Sequence, residues 1–169
     1  MNAHRIKDSM TRSLVSIRWD SPIREARDLM LERGIRHLPV EGDNKVLAGI
    51  LSDRDVKRAM DPDGPRFRPG AVAADYMTWP VLTVDESTPL VKALERMLSE
   101  KISALIVTRE KEGDAGRMGE TERVGIITTE DMLHVLHELL LVSENQPVLD
   151  LTYEPLWREV MRTASSVGL

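Results

Sequence analysis

The stretch that decides the fold is written twice in the chain, as GILSDRD at residues 49–55 and as GIITTED at residues 125–131. Each copy is a glycine, two apolar residues, a hydroxyl residue, two variable residues and an aspartate. The hydroxyl residue and the aspartate stand three positions apart, which is the spacing of a capping box at the start of a helix. The two stretches therefore predict two helices that begin in the same way.

The similarity extends well beyond these seven residues. A shift of 67 positions aligns residues 8–40 with residues 75–107 and gives ten identities in 33 positions. After Val107 the shift rises to 76, because the second copy contains nine extra residues. A repeat of this kind predicts two copies of one supersecondary unit, each too small to bury a good core alone. The identical pairs are Asp8/Asp75, Met10/Met77, Thr11/Thr78, Pro22/Pro89, Ala26/Ala93, Met30/Met97, Leu31/Leu98, Ile35/Ile102, Leu38/Leu105 and Val40/Val107.

Each copy predicts the same order of elements: a short strand, a helix, two strands and a second helix. Pro22 and Pro89 open the first helices, where a proline loses no hydrogen bond because its nitrogen has no helical partner. In the second copy an apolar stripe at helical spacing predicts one buried face. Its members are Leu90, Ala93, Leu94, Met97 and Leu98. The short strands are predicted at Leu14–Ile17 and Val81–Val84, and the second helices at Asp53–Met60 and Thr129–Val142.

These elements predict an α/β fold, more closely an α+β sandwich of two β-α-β-β-α repeats followed by a C-terminal helical tail. The predicted parts are repeat 1 at residues 6–60, a linker at 61–72, repeat 2 at 73–141 and a tail with an amphipathic helix at 142–169. The linker holds three prolines and two glycines. Residues 109–123 are charged and without periodicity, so they are predicted to form a long hairpin loop.

Composition excludes several classes of function. A net charge of −5 disfavours nucleic-acid binding, which needs a cationic face, and the absence of cysteine excludes disulfides and thiolate sites. No stretch approaches the roughly 20 apolar residues that span a bilayer, and the N-terminus lacks the apolar run of a secretory signal. We therefore expect a cytoplasmic protein that binds neither membranes nor nucleic acids.

Catalytic and metal-binding signals are weak. The sequence has no nucleophile elbow and no glycine-rich phosphate loop, so we expect no enzyme activity and no catalytic residue. His134 and His137 are three positions apart on a predicted helix, but no third ligand accompanies them, so surface or interface histidines are the favoured interpretation.

The repeat resembles a tandem pair of CBS domains, the Bateman module. The segments that carry the resemblance are DSMTRSLVSI, GIRHLPV and GILSDRDVKRAM in the first copy, and DYMTWPVLTV, ISALIV and GIITTEDML in the second. The resemblance covers about residues 6–141. It implies two intimately packed copies with pseudo-twofold symmetry and adenosine-type ligands, such as AMP, ADP or ATP, in clefts between them. A protein of this kind needs no other cofactor, and the resemblance implies a stand-alone regulatory protein.

Two interpretations of the repeated stretch remain open. Ser52 with Asp55, and Thr128 with Asp131, can serve only as helix caps. Alternatively, each aspartate can accept hydrogen bonds from two ribose hydroxyls while the helix N-terminus attracts phosphate. The resemblance places the ribose on these aspartates. The full set of candidate ligand-binding residues is Ile35, Arg36, His37, Pro39, Ser52, Arg54, Asp55, Ile102, Ala104, Thr128 and Asp131.

The two candidate sites differ in charge. Five basic residues surround the first motif, whereas the second has Ser103 and Ala104 in place of Arg36 and His37, and Glu130 in place of Arg54. Arginine can hold a phosphate through two parallel hydrogen bonds, so we expect the first site to bind charged nucleotides more tightly. The basic residues are Arg36, His37, Arg54, Lys57 and Arg58.

The last helix of repeat 2 is apolar on more than one face, which predicts a subunit contact and a homodimer. The tail can pack on its own module, exchange with a partner subunit or bind a target protein. The leading hypothesis is a non-enzymatic sensor of an adenine nucleotide that acts on an unidentified protein partner. The main alternative is a ligand-free interaction scaffold whose aspartates only cap helices.

Overall fold

The structure is a computed structural model that describes residues 4–111 and 121–144. The chain divides after Met132 into two units, and both sheets lie in the first. Each predicted repeat contributes one three-stranded sheet with two longer helices. The elements of repeat 1 are α1 (Ile6–Ser9), β1 (Ile17–Arg18), α2 (Ile23–Arg33), β2 (His37–Glu41), β3 (Leu47–Ser52) and α3 (Asp53–Met60). Those of repeat 2 are β4 (Thr83–Asp85), α4 (Leu90–Glu100), β5 (Ala104–Glu110), β6 (Thr121–Thr128) and α5 (Thr129–Glu144).

The two sheets have the same topology. In the first sheet β1 pairs parallel to β2, and β2 pairs antiparallel to β3. The second sheet repeats this order with β4, β5 and β6. A parallel pair requires a crossover between its strands, and α2 and α4 provide it. The predicted mixed α/β fold is therefore confirmed.

Helices α2 and α4 begin and end alike. Pro22 and Pro89 occupy the N-cap positions, one residue before the predicted first turn. Both helices end at a residue in the left-handed conformation, Gly34 with φ 62° and Lys101 with φ 55°. Glycine adopts this conformation without steric cost, whereas a lysine carries a Cβ that disfavours it. The C-terminal geometry is thus kept even where the second copy lacks the glycine.

Each copy begins with a segment that packs on the other copy. We call residues 4–11 and 71–78 the entry segments. Thr11 exchanges two backbone hydrogen bonds with Ile126 of β6, both 2.9 Å long. Thr78 does the same with Ile50 of β3, at 2.8 and 3.1 Å. The segments therefore extend the opposite sheets, and the two repeats form one interlocked structure.

The cores reflect this exchange. The core around the first sheet includes Ala71 and Ala73 from the second entry segment, and Met77 packs against it. Ile6 and Met10 of the first entry segment are likewise buried. Burial of these side chains by the opposite repeat supplies the apolar contact that a 55-residue unit lacks on its own.

Some predicted bounds differ from the structure. The entry segments contain short helical turns, at Ile6–Ser9 and Ala73–Asp75, and the first strands lie later than predicted, at β1 and β4. Hairpin pairing also continues into the predicted loop, because Arg109 pairs with Glu122 and Glu110 with Thr121. Backbone pairing at the exposed end of a hairpin needs no apolar pattern, so the sequence did not reveal it.

The apolar face predicted for α4 is only partly correct. Leu90, Ala93 and Met97 are buried, but Leu94 and Leu98 are 38% and 70% exposed. The buried stripe is therefore narrower than the apolar pattern, and α4 keeps a flank of leucine in contact with solvent. The predicted tail helix lies outside the described residues.

Candidate functional site

The first helix head is formed by Ser52 and Asp55 where β3 runs directly into α3. The Ser52 backbone N–H donates to Asp55 Oδ2 at 2.9 Å, and the Ser52 hydroxyl donates to the same oxygen at 2.6 Å. In return, the Asp55 N–H donates to Ser52 Oγ at 3.3 Å. This is a complete capping box, which satisfies donors at a helix start that have no helical partner.

The second head repeats this geometry with Thr128 and Asp131 at the start of α5. The Thr128 N–H and hydroxyl each donate to Asp131 Oδ2 at 2.7 Å, and the Asp131 N–H donates to Thr128 Oγ1 at 3.3 Å. Helix capping is therefore a real function of both motifs.

Capping uses only one oxygen of each carboxylate. All of the cap contacts are to Oδ2, so Oδ1 of Asp55 and Asp131 lies outside the cap. The nearest cation to Asp55 Oδ1 is Arg58 Nη1, at 3.8 Å. The Asp55 side chain is 17% exposed, so it remains accessible from one side. A helix cap and a ligand contact can consequently coexist on one aspartate.

The two helix heads are held by equivalent backbone contacts. The Asp53 N–H at the start of α3 donates to the Arg36 carbonyl at 2.9 Å. The Thr129 N–H at the start of α5 donates to the Ser103 carbonyl at 3.0 Å. Each helix thus begins against the residue that precedes the middle strand of its own sheet.

Side chains from these positions bridge the two repeats. Arg36 Nη2 donates to Glu130 Oε2 at 2.8 Å, and His37 Nε2 lies 2.9 Å from Ser103 Oγ. We call this group of four residues the seam. The two contacts therefore join the residues immediately before and at the start of β2 with Glu130 at the head of α5 and with Ser103 before β5.

His37 is the least exposed ionisable group of the seam. Burial lowers the pKa of its imidazole; the neighbouring carboxylate of Asp53 opposes that effect and the Arg36 guanidinium adds to it. A neutral imidazole can either donate to or accept from the Ser103 hydroxyl, depending on its tautomer. His37 therefore serves near neutral pH as an uncharged hydrogen-bonding group.

The basic residues near the first head are mostly engaged with acids. Lys57 binds Asp53 at 2.8 Å, which lowers the pKa of the Asp53 carboxyl, and Arg36 is held by Glu130. Arg54 is exposed and forms no ion pair with the described residues. The excess of positive charge predicted at this site is thus partly balanced within the protein.

The apolar candidates differ in accessibility. Ile35, Ile102 and Ala104 are half-buried, whereas Pro39 is fully buried in the middle of β2. The structure places the half-buried residues immediately before or at the start of β2 and β5, next to the seam. They can line a ligand without rearrangement, whereas Pro39 would need the surrounding chain to move.

Sequence reasoning missed the pairing across the seam. Alignment of the two copies placed Glu130 opposite Arg54, but the structure pairs it with Arg36 of the other repeat. In the same alignment Ser103 stands where repeat 1 has Arg36, yet in the structure it is the partner of His37. The loops that precede β2 and β5 are equivalent in the two repeats, and packing of two repeats about an approximate twofold axis brings equivalent loops close together, which is the signal that could have indicated both contacts.

A metal-binding cluster or a membrane-spanning helix would indicate another class of function. In residues 4–111 and 121–144, no group of three or more histidine, aspartate or glutamate side chains is arranged to hold a metal ion. His134 and His137 are exposed on α5. Of the helices in these two ranges, none combines the length and the apolar character needed to cross a membrane.

Comparison with known proteins agrees with the duplicated fold. The family model for the CBS domain matches residues 6–62 and 72–138. The chain belongs to the CBS domain family. The two matched segments are the two repeats, so the resemblance inferred from the sequence is confirmed and the chain is a CBS pair.

Individual relatives include curated proteins and solved structures. A homoserine O-acetyltransferase of Methanococcoides burtonii is 32% identical over 127 residues, which are 75% of this CBS pair and 23% of the enzyme. The chain spans less than a quarter of the enzyme's length. Among solved structures, the CBS pair of protein MJ0100, in complex with 5′-methylthioadenosine and S-adenosylmethionine, has a TM-score of 0.66 at 23% identity. The match covers 81% of this chain and 98% of the MJ0100 chain in that structure.

A second solved structure is somewhat closer in sequence. CBSX2 in complex with AMP has a TM-score of 0.63 at 25% identity, and the match covers 80% of this chain and 98% of CBSX2. Both structural matches span nearly the whole of the other chain in its solved structure, and they share the fold of this CBS pair.

Proposed function

We propose that this CBS pair is a non-catalytic regulatory module that binds an adenosine-containing nucleotide of the AMP, ADP or ATP type between its two repeats. The proposal depends on one observation: each capping aspartate uses only Oδ2 in its cap and keeps Oδ1 outside it. A carboxylate with a free oxygen can accept from ribose hydroxyls, and the adjacent helix N-terminus attracts phosphate. The AMP complex of the similar CBSX2 supports the class of ligand.

Each candidate residue has a role in this proposal. Asp55 and Asp131 hold the ribose, and the hydroxyls of Ser52 and Thr128 lie near the ribose or phosphate. The cations that meet the phosphate are Arg36 and Arg54, with His37 as a neutral hydrogen-bonding partner. The adenine contacts the half-buried residues Ile35, Ile102 and Ala104, and it reaches the buried Pro39 only if the surrounding chain moves.

Signalling follows from the interlocked repeats. A ligand that binds one arrangement of the two halves better than another shifts the population toward it. We propose that a homodimer transmits this change to a protein partner in the cytoplasm. Exposed leucines on α5 support a subunit contact, because apolar surface of this extent is unfavourable in water. They are Leu133, Leu136 and Leu139.

The competing function is a ligand-free scaffold, and the complete capping boxes favour it. In that case the aspartates contribute only about 1 kcal/mol each to helix stability, and the exposed leucines of α5 provide the whole function by binding a second copy or another protein.

Thermal unfolding and calorimetry distinguish the two functions. The protein is titrated with adenosine, AMP, ADP, ATP, NAD and S-adenosylmethionine, after mass spectrometry of what copurifies. A site-specific ligand at a hundredfold its Kd stabilises the folded state by about 2.7 kcal/mol. We expect this response from at least one adenine nucleotide and its loss in the double variant Asp55→Ala/Asp131→Ala.

Asp75 provides a matched control for this experiment. Its Oδ2 accepts from the Val72 N–H at 2.9 Å in the second entry segment, so Asp75→Ala also removes a capping carboxylate. We expect this variant to keep its nucleotide response. No response of the wild-type protein to any of the six compounds would contradict the proposal and favour the scaffold.

A further inference from the structure

The seam contains an ion pair that competes with a bound phosphate. Arg36 and Glu130 belong to different repeats, and their side chains are 57% and 59% exposed. We propose that Glu130 is a specificity-determining residue that holds the Arg36 guanidinium until the phosphate of a nucleotide displaces it. This inference rests on the proposed nucleotide function. It states that the seam discriminates between ligands by the charge of their phosphate groups.

The position of Glu130 supports this role. It occupies the first turn of α5, next to Asp131, where a helix N-terminus would attract an anionic ligand. The carboxylate of Glu130 supplies that anion from within the protein. A nucleotide phosphate at this junction meets a cation that is already neutralised and an acid of like charge.

The exchange is physically accessible because the ion pair is exposed. Ion pairs in contact with water contribute little to stability, so breaking this one costs the fold little. A phosphate carries more negative charge than a carboxylate and can accept both parallel N–H groups of the guanidinium. Arg36 can therefore change partner without unfolding either helix head.

The two repeats differ at this point, so only repeat 2 supplies a seam acid that can compete with a phosphate for an arginine. The residue equivalent to Glu130 in α3 is Arg54, and the residue equivalent to Arg36 is Ser103. The reciprocal contact would join a cation to a hydroxyl and would not exclude an anion. The seam therefore has a single acidic competitor, and it lies on the α5 side.

Glu130→Gln tests the inference because it removes the charge and keeps the shape of the side chain. Binding of adenosine, AMP, ATP and inorganic pyrophosphate is measured by calorimetry for the wild type and the variant. We expect affinity for the three anions to rise about fivefold, the effect of one removed charge a few ångströms away in a wet site. Affinity for adenosine, which has no phosphate, stays unchanged.

Two further variants provide the controls. Glu122→Gln changes net charge equally at the far end of β6, about 20 Å from Thr128 at the rise of a strand, and leaves all affinities unchanged. Arg36→Gln weakens anion binding, and it removes the gain when it is combined with Glu130→Gln. A gain that persists without Arg36 would show that Glu130 acts through general repulsion and would overturn the partner exchange.

The outcomes separate this inference from the proposed function. If wild-type protein binds AMP and Glu130→Gln gives no gain, the inference is wrong and nucleotide binding stands. If pyrophosphate binds more tightly to the variant but adenosine and AMP do not bind, the seam discriminates anions and the adenosine function is wrong. If none of the four compounds binds either protein, both are wrong.

Discussion

The two CBS repeats share their backbone geometry but differ in the chemistry placed on it. Both helix heads carry the same capping box, and both β-hairpins receive an entry segment from the other repeat. At the seam, however, repeat 1 supplies Arg36 and His37 while repeat 2 supplies Ser103 and Glu130. The two copies therefore share the contacts that hold the fold together and differ in the side chains that meet at the seam.

The glycines of the repeated motif show what the fold needs. A Cβ on Gly49 would clash with Met77 Sδ, and a Cβ on Gly125 would lie 2.9 Å from Met10 Sδ. Each glycine therefore leaves room for the methionine of the opposite entry segment. The copies differ in one respect: the Cβ on Gly125 would also lie 2.7 Å from the backbone carbonyl oxygen of Thr11.

The largest effect is expected from alanine at these glycines. Gly125→Ala should lower the free energy of unfolding by about 2–3 kcal/mol, the upper part of the range for overpacking, because the Thr11 carbonyl is fixed by the pairing with Ile126. Gly49→Ala should cost less, about 1–2 kcal/mol, because its three nearest contacts are Sδ, Cγ and Cβ of Met77 and two of these atoms can move when the methionine side chain rotates. Urea unfolding measures both values.

Removal of the methionine sharpens this comparison. In double-mutant cycles Met77→Ala should relieve much of the cost of Gly49→Ala, whereas Met10→Ala should relieve little of the cost of Gly125→Ala. Equal relief in the two repeats would show that the Thr11 carbonyl yields as easily as a side chain, and the difference between the copies would disappear.

Substitution of the two helix-head aspartates compares the strength of the two proposed ligand sites. Asp55→Ala and Asp131→Ala should each cost about 1 kcal/mol of stability, since the two capping boxes are equivalent. Nucleotide affinity should fall by about tenfold or more for Asp55→Ala, a loss of 1.4 kcal/mol or more, and by less for Asp131→Ala. Titration calorimetry measures the affinities, and equal losses would refute the predicted inequality of the sites.

Arg123 marks a second difference between the repeats. Its Nη2 donates to Glu41 Oε1 at 2.9 Å and to the Lys45 carbonyl at 2.7 Å, whereas the equivalent residue of repeat 1 is Leu47. Arg123→Met should lower stability by about 1–2 kcal/mol, because both bonds are charge-assisted and the Glu41 side chain is mostly buried.

An exposed arginine serves as the control for Arg123. Arg18 binds Asp20 through two hydrogen bonds at 2.9 and 3.0 Å on the surface. Arg18→Met should change the free energy of unfolding by less than about 0.5 kcal/mol in the same urea assay. Similar losses in the free energy of unfolding for the two variants would show that the contact between Arg123 and repeat 1 stabilises the fold no more than an exposed ion pair does.

The smallest effect is expected from the pH dependence of His37. Burial lowers its pKa in the folded protein, so the unfolded chain binds a proton first as the pH falls below about 6.5. The stability contributed by neutral His37 is complete above that pH and is lost progressively below it. His37→Gln, which keeps a nitrogen near Ser103, should reduce the slope of stability against pH between pH 7 and 5.

The residue of repeat 2 that is equivalent to His37 is Ala104, which cannot titrate. His37→Gln should give repeat 1 the same lack of pH dependence at this position. Urea unfolding at several pH values provides the measurement. An unchanged slope in His37→Gln would mean that other groups carry the pH dependence and that the seam does not sense protons in this range.

Much of the fold could be predicted from the sequence because its determinants are local and occur twice. The repeated hydroxyl and aspartate specify a capping box from four consecutive residues, and the structure forms it at both Ser52 and Thr128. The apolar periodicity identified the buried positions Ala93 and Met97 correctly. The extent of burial at Leu94 and Leu98 could not be read from periodicity, because it depends on how wide a surface the neighbouring strands present.

What the sequence determined by itself is the duplicated unit and its helix heads, since capping, chain breaks and apolar spacing act over a few residues. Only the tertiary structure decided which residues meet between the copies: Arg36 with Glu130, His37 with Ser103, and Gly49 with Met77. The physical reason is that these partners lie 28 to 94 positions apart in the chain. Their approach is set by the exchange of entry segments and the packing of two sheets, which no local pattern encodes.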